Sequence, residues 1–158
     1  MSDERLADLE RRLQRLEDER AIAQLIARYG PLVDAGDADA AAGLWAVDGS
    51  YDVEDRRMQG RDAVRAMVAS DAHQSLIGRG SAHFLGPAVV TVDGDDAVAV
   101  CESVLFVRRD HGYAAARAAA NHFRLHRIAG QWQIAARTTH VLDGSTTARN
   151  LLRLPPGR

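Results

Sequence analysis

The chain has 158 residues, with 20 basic and 22 acidic side chains and a formal net charge of −2. That length suits one domain with its own hydrophobic core, and the balanced charge gives no electrostatic reason to expect a nucleic-acid or membrane partner. One cysteine, Cys101, excludes an intrachain disulfide; with a charged N-terminus unlike a signal peptide and no apolar run near the ~20 residues of a membrane span, the expected compartment is the cytoplasm.

Residues 3–28 predict one helix. Leu6, Leu9, Leu13 and Leu16 repeat at three-four-three spacing, a narrow coiled-coil-like seam suited to a partner subunit or to a plain amphipathic extension. From Ile22 the stripe widens to Leu25, Ile26 and Tyr29, as in a helix packed on a core. Gly30-Pro31 predicts an end or kink, with a short helical piece reaching Asp34 before Gly36. Asp37 is placed to cap a helix from Ala38 to about Trp45. Asp48-Gly49 reads as a turn, Ser50–Glu54 as a short strand, and Gly60-Arg61-Asp62 as the start of a third helix carrying Val64, Met67 and Val68. Residues 71–80 read as loop.

The period then changes. Phe84 to Val92 is rich in β-formers, Asp93-Gly94 is a hairpin signal, and Ala97 to Val107 continues the pattern. Asp110-His111-Gly112 marks a turn, 114–128 a strand despite its alanines, and Gln131–Val141 the strand after Ala129-Gly130. Helices followed by a meander of long antiparallel strands predict an α+β domain with the helices on one face of the sheet. The expected organisation is an N-terminal helical extension over 1–20, a domain over 21–150 and a tail over 151–158, ending in disorder.

No dinucleotide fingerprint, phosphate loop, paired-cysteine or HExxH motif is present. Cys101 falls inside a predicted strand, as a buried small side chain would. His122 and His126 are spaced for a metal on a helix; on a strand they lie ~13 Å apart, so no metal site is expected. Asp34 stands among apolar neighbours, where its bland role is helix-end chemistry. A straight helix sets it well around the axis from Tyr29, and a break at Gly30-Pro31 could bring the two together. Glu102 shares parity with Val98, Val100, Val104 and Phe106, which points it to an apolar side where a carboxylate needs a partner or a cavity. Arg137 and His140 close the last strand. Taken singly, His83, Glu102, Arg137 and His140 all have structural explanations.

Taken in order, the runs LEDERAIAQLIARYGPLVDAGDADAAAGLWAVDGSYDV, GRDAV, SAHFLGPAVVTVDGDDAVAVCES and GQWQIAAR resemble SnoaL-like members of the nuclear transport factor 2-like superfamily. The resemblance spans about Leu16 to Arg149. It implies a cone: a strongly curved antiparallel sheet wrapped around N-terminal helices, with a deep pocket at the open end. The nearest branch resembles scytalone dehydratase, bile-acid 7α-dehydratase and hexachlorocyclohexane dehydrochlorinase, where a polar residue and an aspartate on the first helical region meet a histidine opening the long hairpin. Tyr29, Asp34 and His83 stand at those places. Glu102, Arg137, Asn121 and Tyr51 match further polar positions used by some members. Ketosteroid isomerase and polyketide cyclases share the fold with differently placed acids.

The resemblance implies a cofactor-independent lyase of the dehydratase type, or an isomerase or cyclase, acting on a small hydrophobic cyclic molecule. His83 would be the general base, Asp34 its tautomer-fixing partner and Tyr29 a donor to the developing oxyanion. Trp45, Met67, Phe84, Leu105 and Phe106 would line an apolar pocket. The rival expectation is a non-catalytic binding or dioxygenase small-subunit-like protein, with the leucine seam and an open sheet face as the working surface. A homodimer or homotrimer is expected in either case.

Overall fold

The computed structural model describes residues 2–154, so part of the expected tail, residues 155–158, lies outside the described residues. Twelve elements follow in chain order: α1 (Asp3–Asp34), α2 (Ala38–Ala42), β1 (Trp45–Val53), β2 (Arg56–Gln59), α3 (Arg61–Ala69), α4 (Asp71–Arg79), β3 (Ser81–Leu85), β4 (Val89–Asp93), β5 (Asp96–Arg109), β6 (Gly112–Ile128), β7 (Gln131–Val141) and α5 (Thr146–Leu151). The architecture is α+β, with α1 laid across a curved, unclosed sheet. Among the described residues no helix is long and apolar enough to cross a membrane.

The sheet order is β2-β1-β7-β6-β5-β3, with β4 also pairing β5. It is not a pure meander. β1 pairs β7 in parallel, from Ser50 beside Ala136 to Val53 beside Thr139, and the other ladders are antiparallel. Register shifts interrupt β1/β7 between Trp45 and Ser50, β5/β6 at Leu105/Phe106 and β6/β7 at Arg124/Leu125. Bulges of this kind bend strands and strengthen twist, which turns the long hairpins into a concave surface. Gly49 sits in the first irregularity, where a Cβ would fall 2.7 Å from the Ile134 carbonyl oxygen.

Helix α1 runs unbroken through Pro31. The proline forgoes only the bond to the Ala27 carbonyl, and Val33, fully buried, anchors the turn beyond it. Gly30 serves packing instead of a break: a Cβ there would lie 1.9 Å from the His83 carbonyl oxygen, so glycine is what lets β3 touch the helix. Ile22, Ile26, Tyr29 and Val33 form the buried stripe of α1, packed in one core with Ala97, Ala99, Phe123, Leu125 and Ile134.

A polar clasp fixes the middle of the helix. Asp18 takes two 2.8 Å bonds from the Arg127 guanidinium and one of 3.0 Å from Trp132 Nε1; Arg127 also reaches Asp95 at 2.9 Å and lies over the Trp132 ring. The Arg127 hydrogen bonds, despite burial, hold the Asp18 carboxyl below the usual range.

Further local expectations need correction. Asp48-Gly49 is not a turn but lies inside β1. Helix α2 ends at Ala42 and Trp45 opens β1, although Asp37 caps the helix as expected, accepting from Ala40 N at 2.9 Å. Residues 71–79 form helix α4, not loop, with the Ser70 hydroxyl capping His73 N. Phe84–Val92 is divided between β3 and β4, both on β5. Strand β2 and helix α5 had no counterpart in the sequence expectation.

Candidate active site

Where α1 ends, β3 passes so closely that the Asp34 carboxylate reaches three groups on it. Asp34 Oδ2 accepts from the His83 backbone N–H at 2.7 Å. Oδ1 lies 2.7 Å from His83 Nδ1 and 3.2 Å from the Ser81 hydroxyl. An ionised carboxylate only accepts, so the tautomer that completes this bond has its proton on Nδ1, with Nε2 directed away from Asp34. The unbroken helix thus separates Tyr29 from Asp34 around its axis: Tyr29 lines the cavity while Asp34 stands behind His83.

His83 borders a cavity of about 260 Å³, lined also by Tyr29, Tyr51, Met58, Met67, His73, Leu76, Leu105, Ser103, Arg117, Arg137 and Thr139. His73, on α4, lies nearly parallel to His83, with ring centroids 5.2 Å apart. Its Nε2 is buried without a hydrogen-bond partner among the described residues. Burial, and then the charge of His83, push its pKa below the ordinary histidine value. Sequence reasoning missed His73 because its segment read as loop; the Ser70-Asp71 cap was the available signal.

Arg137 stands at another wall, 2% exposed. Register explains its surroundings: Phe123 and Tyr51 are its partners across β6 and β1, and their rings lie 5.2 and 4.5 Å from the guanidinium carbon. Tyr29, from α1, covers it at 4.4 Å. Arg137 Nε and Nη2 donate to Asn121 Oδ1 at 3.1 and 2.7 Å, and Thr139 Oγ1 donates to the same oxygen at 2.8 Å. Asn121 Nδ2 in turn donates to Ser103 Oγ at 2.9 Å. The guanidinium therefore sits among π faces and a neutral amide, with no carboxylate on it among the described residues. Burial, followed by the nearness of Tyr51, raises the Tyr29 phenol well above its ordinary pKa, so it is a neutral O–H donor.

The remaining sequence candidates fall elsewhere. Glu102 is exposed on the outer sheet face: Ala97, Ala99 and Cys101 take the core side of β5, and the apolar residues of its own parity had suggested otherwise. Phe106 shares that outer parity and is not in the cavity wall. Phe84 is at the cavity edge with 59% of its surface exposed. Trp45 lies behind Tyr29 and Tyr51, packed edge-on against Tyr29 and donating to the Ser50 carbonyl, so it supports the wall without forming it. Asn121 is fully buried and acts on Arg137, not on the cavity.

A large curved, unclosed sheet with helices at its N-terminal end is the cone of a nuclear transport factor 2-like domain. The chain belongs to the SnoaL-like domain family, whose model matches residues 14–138. It is 44% identical to a nuclear transport factor 2-like protein of cystatin-like fold from Novosphingobium aromaticivorans, over 94% of this chain and 97% of that one, at a TM-score of 0.91. An aspartate-to-asparagine variant of Rv3472, a protein of unknown function from Mycobacterium tuberculosis, is 25% identical over 86% and 75% of the two chains, at a TM-score of 0.69. The β subunit of a putative aromatic-ring-hydroxylating dioxygenase from N. aromaticivorans is 21% identical over 80% and 90%, at 0.65, a likeness of fold. No curated protein matches the sequence.

Proposed function

We propose that the chain is a cofactor-independent lyase of the dehydratase type, acting in the cytoplasm on a small, largely apolar cyclic carbonyl compound. The observation that carries this is the 2.7 Å contact of Asp34 with Nδ1 of His83, whose ring borders a cavity lined mainly by apolar and aromatic groups. His83 Nε2 removes a proton from the carbon next to the carbonyl. Asp34 stabilises the imidazolium that results. The carbon electrons move toward the carbonyl oxygen, where Tyr29 and Tyr51 donate hydrogen bonds and Arg137 supplies positive charge. Collapse of that enolate expels a β-hydroxyl, which takes the proton from imidazolium and departs as water. Proton-shift isomerisation or cyclisation uses the same first step.

The SnoaL-like family includes polyketide cyclases and dehydratases, which supports this class. The alternative is a non-catalytic, dioxygenase small-subunit-like role. Its support is a likeness of fold, whereas an acid–base pair enclosed with a neutral phenol favours chemistry. Copurification of a large Rieske-type subunit, with no turnover by the isolated chain, would favour the alternative.

The test is water loss from a panel of cyclic β-hydroxyketones, followed by the absorbance of the conjugated product. His83→Ala and Asp34→Asn are each expected to lower turnover by about 10²- to 10⁴-fold. Unchanged turnover in both variants would sink the mechanism.

A further inference from the structure

The leucine seam of α1 is not used by the domain. Leu6, Leu9, Leu13 and Leu16 are 48, 43, 57 and 64% exposed. Along residues 3–17 only Ala7 is less than exposed. At 3.6 residues per turn, the seam lies roughly 150° around the helix from the buried Ile22-Ile26-Tyr29-Val33 stripe. The chain's own sheet therefore cannot cover it.

We propose that this seam joins two copies of the chain as a parallel two-helix coiled coil. Charge complementarity selects the occupant and its direction. With Leu6 and Leu13 at a positions and Leu9 and Leu16 at d, Arg5 and Arg12 fall at g, and Glu10 and Glu17 at e. In a parallel pair each g residue faces the e residue five positions later on the partner helix. That sets Arg5 against Glu10 and Arg12 against Glu17 of the second copy, on both sides of the seam. An antiparallel pair would oppose Arg12 to Arg12 and Glu10 to Glu10. These four side chains make no ion pair among the described residues, while Asp8–Arg11 and Arg15–Glu19 pair within the helix, on its domain side.

The geometry accommodates the dimer. Because seam and core stripe are on nearly opposite faces, the two domains hang outside the coil. The helix is continuous with its buried half, so no separate nucleation cost opposes the short seam. Arg20 occupies the next a position, is exposed, and ends the apolar contact.

Sedimentation equilibrium on the full chain tests this. The wild type is expected to be a dimer. Leu9→Lys/Leu13→Lys is expected to raise its dissociation constant by about a hundredfold or more, from the apolar burial lost on both helices. The domain should stay folded, with its near-ultraviolet circular dichroism spectrum retained, since both positions lie outside the core of the single chain. Oxidised Leu13→Cys should cross-link to itself, as a positions meet in a parallel pair; Cys101 is buried and does not compete. A monomeric or trimeric wild type overturns the proposal. So does a dimer indifferent to the two lysines, which would use another face. In a mixture of Leu9→Cys and Leu13→Cys chains, cross-linking of one variant to the other, with neither linking to itself, overturns the parallel arrangement.

Discussion

At the residue scale, hydrogen bonds fix the orientation of the ionisable side chains at the cavity wall. Asp34 is tied by a backbone N–H and a hydroxyl as well as by the imidazole, so His83 has one available orientation toward it. His73 is the complementary case: its ring lies flat against that of His83. Its lowered pKa means that the unfolded chain binds the proton more readily. Its contribution to stability is therefore present above the unfolded value and lost as pH falls through the folded one. In a nuclear magnetic resonance titration the His73 midpoint should fall below the ordinary 6.5. Replacing His83 by phenylalanine should move it partway back, leaving the shift caused by burial. A midpoint at or above 6.5 in the wild type would contradict the stacked, half-buried placement.

At the element scale, the contact of α1 with β3 makes the dyad. Sequence rules identified Asp34 and His83 as separate polar residues, and the family resemblance joined them. The reason they meet is Gly30, whose missing side chain admits the His83 backbone. Gly30→Ala should improve helix propensity yet destabilise the protein, by about 1–3 kcal/mol, because backbone on both sides must shift. Urea unfolding measures it, and a variant as stable as wild type would refute this account. The Gly30-Pro31 pair illustrates a limit of local reading. Both residues disfavour helix locally, and tertiary burial of Val33 and the Asp34 bonds override them. The same limit applies to β5, where both faces carry apolar residues. Alternation could not say which side of Glu102 was core, and only packing against α1 decided it.

At the scale of the whole molecule, the Asp18 clasp ties α1 to the far ends of β6 and β7 and to the β4–β5 turn. A carboxyl held below its ordinary pKa contributes stability that is present above the unfolded value of about 3.8 and lost as the pH falls through the folded one. Asp18→Asn should cost about 1.5–3 kcal/mol at neutral pH and flatten the acid loss below about pH 4. Urea midpoints at about pH 7 and about pH 3, on either side of the ordinary carboxyl range, give both numbers. Equal acid sensitivity in wild type and variant would show that the clasp is not the source.

The sequence by itself determined the α+β class, the long β5–β6–β7 hairpins, the α1 stripe and the leucine heptads. Each is written in a local period or a turn residue. Its resemblance to a family determined which histidine and aspartate to join. The tertiary structure decided the rest: the parallel β1–β7 pairing, the concealed α4 with His73, the outward side of Glu102 and Phe106, and the cage around Arg137. Those depend on residues distant in sequence becoming neighbours across strands. Side-chain burial at such positions is set by which face α1 covers, and no local pattern encodes that choice.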